Sequence, residues 1–347
     1  MKYPPLAYLQ QVTQQISSSG ATRRKEISVN GKHLLSMILA KVLLIIMALG
    51  VMLPAPPVQA AESGTGVYAM GYASSMAGFL PPPGAYLRYD FYLYEGTARF
   101  LPLSGVIEAN LRARYVINMV NGTVVTPWKI LGGNYAFGIL WAAVGNTFIK
   151  GQVDIANRFG VSREGDRTDM ADLVITPVIL GWHTDQWHIM FIGNVYAPTG
   201  TYSPDRILNT SLNRWAIEPN LAVTWLHPKI GTEVSAQLGY TINFQNPATK
   251  YTSGHELHLE WFLGQHLPKG FALGLVGFFY QQVTGDSGSG ARLGAFQGQA
   301  MAIGPCVTYN GKIGKHPIGV NLRYYDELTV TNRLNGQSFW GTLTFGF

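Results

Sequence analysis

The sequence predicts an all-β protein: a transmembrane, antiparallel, up-and-down β-barrel of about twelve strands with an N-terminal plug in its lumen. Side-chain polarity alternates with a period of two after residue 84, and tight turns alternate with long polar connections. A period of two is strand geometry, and this alternation of short and long connections is typical of outer-membrane barrels, which have an even strand count. Charged residues make up only 13% of the chain, against about 25% in soluble domains.

The stretch from Val234 to Phe244 shows the alternation clearly. Its apolar residues fall on one face, and the opposite face holds Glu233, Ser235, Gln237, Gly239, Thr241 and Asn243. The polar faces contain few lysines, and aromatic residues lie near strand ends, which favours lipid as the environment of the apolar faces. A secreted β-sandwich, whose strands also alternate in polarity, is the alternative.

Twelve strands are predicted, at 84–95, 108–120, 131–147, 169–183, 186–197, 213–227, 230–244, 255–266, 270–284, 295–309, 315–327 and 337–347. The connections after the fourth, sixth and eighth strands are tight, at Thr184-Asp185, Pro228-Lys229 and Pro268-Lys269. The connections at 148–168, 198–212, 245–254 and 285–294 are long and polar. Tight even-to-odd turns are what a barrel with both termini in the periplasm requires.

Residues 1–60 are predicted to be a signal peptide with an extended n-region. Basic residues precede the uncharged apolar run Val42–Leu53, and Pro54 and the small-x-small sequence Val58-Gln59-Ala60 follow it, which is the order of a secretory signal. A membrane anchor over 34–53 is the alternative, although Lys41 interrupts it. A start at Met37 instead of Met1 gives a more compact signal.

Charge and cysteine content exclude several classes of function. Almost all of the excess behind the net charge of +6 lies in residues 1–60, so the remainder lacks the basic surface that a nucleic-acid-binding protein needs. Cys306 is the one cysteine, which excludes an internal disulfide and a zinc site with several cysteines.

Residues 61–83 precede the barrel, which we assign to 84–347, and are apolar, small and rich in proline. We expect this segment to fold into the lumen as a plug, because a hydrophobic solute needs apolar contacts along its path. A disordered periplasmic lead-in is the alternative. The side chains expected to line the solute pathway are Tyr68, Met70, Tyr72, Met76, Phe79 and Leu80.

Strand parity places a set of ionisable side chains of mixed sign on the lumen face: Arg88, Asp90, Arg112, Arg114, Glu218, Glu233, Glu256, His258, Glu260 and Arg323. Buried charges must pair or stay hydrated, so we expect a paired ladder that braces the wall. A constriction that orients a phenolic or carboxylate solute is the alternative. Glu256, His258 and Glu260 share one face, but we expect ordinary hydrogen bonds there, with no metal and no cofactor.

Catalysis has weaker support in the sequence. Some outer-membrane barrels are lipases that use Ser and His, and Ser253, His255 and His258 lie near one another in the chain. Strand parity does not assemble a nucleophile, a base and an orienting group from them, because Ser253 lies in a predicted loop. We therefore assign no catalytic residues.

Several motifs, taken in order, resemble one outer-membrane family. They are Gly64-Thr65-Gly66-Val67-Tyr68, Leu80-Pro81-Pro82-Pro83-Gly84-Ala85-Tyr86, Thr249–His258, Gly285-Asp286-Ser287-Gly288 and Ile303-Gly304-Pro305. The family is the SphA-like one named for the phenol meta-cleavage pathway, and the resemblance covers nearly all of 62–347. It implies a monomeric or oligomeric β-barrel associated with the uptake of small hydrophobic aromatic compounds.

These observations lead us to expect a bacterial outer-membrane channel for passive uptake of small hydrophobic or aromatic compounds. Its expected partners are outer-membrane lipids and lipopolysaccharide, the hydrophobic solute, and the outer-membrane assembly machinery, which would read the C-terminal Phe347; nucleic acid is not among them. A structural or adhesin-like barrel that acts through its extracellular loops is the alternative, and a lipase-type enzyme is a third.

Overall fold

The computed structural model describes residues 66–103, 106–155, 159–206, 209–292, 294–295 and 297–347, and these form one closed antiparallel β-barrel. Its strand segments are β1 (Gly84–Leu103), β2 (Val106–Ile130), β3 (Gly133–Ile155), β4 (Phe159–Asp169), β5 (Leu173–His183), β6 (Trp187–Ala197), β7 (Ala216–Leu226), β8 (Thr232–Asn243), β9 (Glu256–His266), β10 (Phe271–Gln282), β11 (Gln299–Ile313), β12 (His316–Thr331) and β13 (Asn335–Gly346). β1 pairs with both β2 and β13, which closes the wall. The predicted signal peptide, residues 1–60, lies outside the described residues.

The thirteen segments occupy twelve positions in the wall. β3 pairs with β5 through residues 134–141 and with β4 through residues 145–155, so β4 and β5 together fill one position that is interrupted at 170–172. The predicted number of strands is therefore confirmed. The predicted loop at 148–168 is wrong, because most of it belongs to β3 and β4. A strand that projects beyond the bilayer is wetted on both faces, so its polar composition resembles that of a loop.

The tight turns lie at one end of the barrel. Gly84 begins β1 there, and the backbone N–H of Phe347 donates to the carbonyl of Ala85 at 2.9 Å. The predicted tight turns between β5 and β6, β7 and β8, and β9 and β10 are confirmed, the last containing a short 3-10 helix at Pro268–Gly270. Between β2 and β3, Leu131 and Gly132 both have positive φ, at 52° and 79°, as a two-residue hairpin turn requires.

The outer face of the wall is apolar and the inner face is polar. On β8, Glu233, Gln237 and Asn243 are buried inside the barrel, while Leu238 points outward with 45% of its surface exposed. Similarly exposed leucines lie on other strands around the barrel, at Leu221, Leu273, Leu275, Leu322 and Leu343. Because one sheet closes on itself, no second sheet covers this face, and the sandwich alternative does not hold.

Helices contribute little to the structure. Within the described part of the chain, no helix is long and apolar enough to cross a bilayer.

Residues 66–83, called the inner segment here, lie inside the barrel. Tyr68, Met70 and Leu80 are buried, and the segment contacts residues of β7, β8, β9, β12 and β13. The wall therefore encloses a stretch of its own chain that precedes the first strand.

Candidate solute pathway through the barrel

The inner segment is anchored to β9 by the carboxylate of Glu260. The Tyr68 hydroxyl donates to Glu260 Oε2 at 2.5 Å, and the backbone N–H of Ala73 donates to the same oxygen at 2.7 Å. The N–H of Gly71 donates to Glu260 Oε1. One inward-facing carboxylate thus holds three donors of the segment, and hydrogen bonds to a charged acceptor are stronger than neutral ones.

A second carboxylate, Glu233 of β8, anchors the following residues. Its Oε2 accepts from Ser75 Oγ at 2.8 Å, and its Oε1 accepts from the N–H of Met76 at 2.5 Å. His266 Nε2 lies 2.6 Å from Glu233 Oε2 and gives this acid a partner on the wall. The segment then passes close to the wall at Gly78, where a Cβ atom would lie 2.4 Å from the carbonyl oxygen of His188. Only glycine fits this approach.

Aromatic and cationic side chains hold the opposite side of the segment. Trp340 Nε1 donates to the carbonyl of Met70 at 3.1 Å. The guanidinium carbon of Arg88 lies 3.9 Å from the centre of the Tyr72 ring, and Arg88 also pairs with Asp90 at 2.8 Å. The segment is therefore fastened to both halves of the wall rather than resting against one.

Two cavities lie on either side of the inner segment. The lower cavity lies toward the end with the tight turns, has a volume of about 480 Å³ and is lined by Phe79, Leu80 and Pro317, among others. The upper cavity faces the long connections, has a volume of about 190 Å³ and is lined by Tyr94 and Tyr115, among others. Val67, Tyr68 and Ala69 line both, so the inner segment separates the two spaces.

The structure places most of the predicted lumen charges inside the barrel: Arg88, Asp90, Glu218, Glu233, Glu256, His258, Glu260 and Arg323 face inward. The placement of Arg112 and Arg114 is corrected, because both are exposed while Ala113 and Tyr115 are buried. This part of β2 projects beyond the lipid belt. There the outer face meets water, so the rule of apolar outside and polar inside no longer sorts the residues.

Several interior charges are paired. His258 Nε2 lies 3.6 Å from Glu218 Oε2, and an Arg214 nitrogen lies 3.9 Å from Glu256 Oε1. Arg214 is absent from the predicted set, although the predicted strand 213–227 contains it in the same parity as Glu218; the structure places it in the connection before β7. In the part of the chain that the structure describes, no three His, Cys, Asp or Glu side chains converge as metal ligands. Glu256 instead accepts from Asn243 Nδ2 at 3.0 Å.

The residues considered for catalysis are not brought together. Ser253 Oγ is buried without a hydrogen-bond partner, while the His255 ring contacts the Tyr240 hydroxyl at 2.9 Å. His258 stacks on Tyr68, with ring centroids 3.9 Å apart, and neither of its ring nitrogens has a hydrogen-bond partner. No nucleophile–base pair forms from these three side chains.

One solved structure with a TM-score above 0.5 shares the fold, and others are less similar. The COG4313 outer membrane channel from Pseudomonas putida F1 superposes with a TM-score of 0.59 at 13% identity, over 77% of this chain and 97% of that one. The β domain of the Bordetella autotransporter Brka gives a TM-score of 0.40 at 12% identity, over 76% and 100% of the two chains. The NanC porin gives 0.37 at 10% identity, over 75% and 98%.

The sequence itself indicates the family. No curated protein matches the chain. A family model described as "putative MetA-pathway of phenol degradation" matches residues 97–343, which agrees with the resemblance seen in the sequence motifs. Because this match spans most of the barrel and well over half of the chain, the protein belongs to that phenol-degradation family.

Proposed function

We propose that the protein is a bacterial outer-membrane channel for passive uptake of small hydrophobic or aromatic compounds. The observation that carries the proposal is a barrel, apolar on its outside, whose interior holds two cavities that meet at Val67, Tyr68 and Ala69. The description of the similar Pseudomonas putida structure as a channel and the phenol-degradation description of the family support it.

The lining of the two cavities suits a hydrophobic solute. The upper cavity presents Tyr92, Tyr94 and Phe278, and the lower cavity presents Phe79 and Leu80, among others. Aromatic rings provide apolar contact area and orient ring-shaped ligands. A solute would enter the upper cavity, pass the inner segment and leave through the lower cavity, with no energy source beyond its concentration gradient.

Deletion of residues 66–80 tests this function. The inner segment occupies the space between the cavities, so its removal should raise the uptake of radiolabelled toluene into proteoliposomes severalfold over the intact protein. The heat-induced shift of the folded band on a gel serves as the control for an assembled barrel. Unchanged uptake by an assembled deletion variant would remove the inner segment from the mechanism, and no uptake by the intact protein would contradict the channel itself.

A second candidate function is an adhesin-like barrel that acts through its loops. The observation behind it is that the long connections are held to one another: Asn246 Nδ2 donates to the Tyr202 hydroxyl at 3.0 Å, and the Tyr251 hydroxyl donates to Asp286. Ordered loops present a fixed surface to a partner. Deletion of residues 246–250 tests this function. If the deletion abolishes binding to a partner surface but leaves solute uptake unchanged, the adhesin-like function is favoured over transport.

Further parts of the proposal concern partners and chemistry. We propose that the protein is not an enzyme, which the separation of Ser253, His255 and His258 supports. Outer-membrane lipids surround the apolar face. We also propose that the loops contact lipopolysaccharide. The outer-membrane assembly machinery would recognise the C-terminal Phe347, which is 67% exposed.

A further inference from the structure

The upper cavity contains two buried donors without a hydrogen-bond partner. One is the hydroxyl of Tyr115 on β2, and the other is Nη1 of Arg333, in the hairpin between β12 and β13. Both residues line the cavity. Because leaving a buried donor unsatisfied costs free energy, such groups in a folded protein call for an explanation. A ligand acceptor is the explanation that a neighbouring cavity suggests.

Arg333 is held in place by an aromatic ring and not by a close ion pair. Its guanidinium carbon lies 4.1 Å from the centre of the Tyr280 ring. None of the ion pairs among the described residues involves it. Its charge acts on the Tyr115 hydroxyl and also on the carboxylates of Glu256 and Glu327, with which it forms no ion pair within 4.0 Å in the described part of the chain. Stacking fixes the plane of the guanidinium and leaves its edge for an acceptor.

The acids that line the same cavity are already occupied. Glu327 Oε2 accepts from the Tyr94 hydroxyl at 3.0 Å and from the N–H of Gly336 at 2.7 Å. Asp172 accepts from the N–H groups of Gly200 and Leu212, at 2.9 and 3.0 Å. The two donors make no hydrogen bond to the wall, so an incoming anion would not displace an existing hydrogen bond to reach them.

The remaining lining and the volume define the size of the ligand. Aromatic and aliphatic side chains make up much of the wall, among them Tyr92, Tyr94, Ile117, Met119 and Phe278. The cavity of about 190 Å³ is somewhat larger than the roughly 150 Å³ cavity that binds benzene in an engineered protein. It has room for one six-membered ring with one small substituent.

We propose that the upper cavity is a binding subsite for a monocyclic aromatic carboxylate of the size of benzoate. The ring packs among Tyr94 and Phe278, and the carboxylate accepts hydrogen bonds from Tyr115 Oη and Arg333 Nη1. A carboxylate suits these donors better than a neutral hydroxyl, because charge-assisted hydrogen bonds to arginine are the stronger kind. Toluene leaves both donors unsatisfied. This inference rests on the proposed function, since it names a solute class for the same pathway.

Calorimetric titration of the purified, detergent-solubilised protein at pH 7 tests the subsite, with sodium benzoate and toluene as probes. Arg333→Gln should weaken benzoate binding at least tenfold, and Tyr115→Phe should weaken it two- to tenfold. Toluene binding should change less than twofold in both. Arg114→Gln is the matched control, because Arg114 lies on the same strand as Tyr115 but is exposed on the outer face of the barrel.

Two outcomes would overturn the subsite: benzoate affinity unchanged in Arg333→Gln, or an equal loss in Arg333→Gln and Arg114→Gln. Tyr115→Phe removes a single oxygen and serves as the independent variant if Arg333→Gln does not fold. Uptake of benzoate into proteoliposomes separates this result from the proposed function. If benzoate binds with these mutational effects but wild-type protein transports neither probe, the channel function is contradicted and the subsite stands. If wild-type protein transports both probes but Arg333→Gln binds benzoate with wild-type affinity, the subsite is contradicted and the channel function stands.

Discussion

The ring of Tyr68 stacks on the imidazole of His258, with centroids 3.9 Å apart and planes inclined by 20°. The same tyrosine donates its hydroxyl to Glu260, two residues further along β9. The inner segment is therefore fixed to one inward row of β9 by both a ring face and a hydrogen bond. Tyr68 also lines both cavities, so this contact fixes a residue that lies between them.

Glu260→Ala should loosen the inner segment. The substitution removes the acceptor of three hydrogen bonds, from Tyr68, Gly71 and Ala73, and each bond to a charged group contributes about 1.5–3 kcal/mol. Amide hydrogen exchange in residues 67–75 should accelerate at least tenfold, as measured by mass spectrometry. Glu218→Ala is the control, because Glu218 binds residues of the wall instead. Equal protection in the two variants would contradict the anchoring role of Glu260.

Gly78→Ala should displace the inner segment where it passes the wall. The added Cβ would meet backbone atoms, 2.4 Å from the His188 oxygen and 2.7 Å from the Thr224 nitrogen, which cannot rotate away. Overpacking of this kind costs about 1–3 kcal/mol, so the temperature at which the folded gel band is lost should fall. Gly122→Ala has open space around its Cβ and should leave that temperature unchanged. A similar temperature for both variants would show that the segment lies elsewhere.

Leu238→Arg tests whether the apolar face meets lipid. Leu238 points outward near the middle of β8, and an arginine at the bilayer midplane costs a barrel about 2–4 kcal/mol. Urea unfolding of the protein in lipid vesicles should show that the free energy of unfolding falls by this amount. Ile230→Arg provides the comparison, because Ile230 is 60% exposed but lies in a tight turn. If Leu238→Arg lowers the free energy of unfolding no more than Ile230→Arg does, Leu238 lies outside the hydrocarbon region of the bilayer.

Asp286 should make the packing of two loops depend on pH. Burial raises the pKa of its carboxyl, although Tyr251, Gly254 and Gln282 donate to its oxygens. Asp286 thus binds a proton more readily when the loops are packed than when they are unpacked. The protonated carboxyl contributes fully to the stability of the packed loops below its ordinary pKa of 3.8. This contribution is lost as pH rises through the raised pKa of the packed state.

Hydrogen exchange around residue 254, corrected for the intrinsic pH dependence of exchange, measures this effect. Protection should decline as pH rises through the raised pKa of Asp286, and Asp286→Asn should abolish the decline. Protection that instead increases with pH in the wild-type protein would mean that the carboxylate form is the one the loops stabilise.

The sequence predicts the wall well wherever lipid constrains it. Leu238 and its outward neighbours must be apolar, so the period of two survives in the sequence and the twelve positions can be counted. Beyond the bilayer that constraint ends. Arg112 and Arg114 therefore face outward against the prediction from strand parity, and residues 148–168 belong mainly to β3 and β4 although their polar composition predicts a loop.

The interior is less accessible to sequence reasoning. The apolar, proline-rich composition of 61–83 predicts a segment that enters the lumen, but its anchors depend on contacts between distant positions, such as Tyr68 with Glu260. Arg333 and Tyr115 were not recognised as lining one cavity, since they lie in different hairpins and meet only once the wall closes. A basic residue in a short connection between two strands carries no local sign that it turns inward.

The pairing of β1 with β13 bears on how the molecule is made. The last strand closes the wall, and the N–H of Phe347 donates to the carbonyl of Ala85. Without β13, the sheet would be open and would have two unpaired edge strands. Residues 66–83 are synthesised earliest among the described parts, yet they end up surrounded by everything made later. The inner segment must therefore enter the lumen either before β13 pairs with β1 or through an open end of the barrel afterwards.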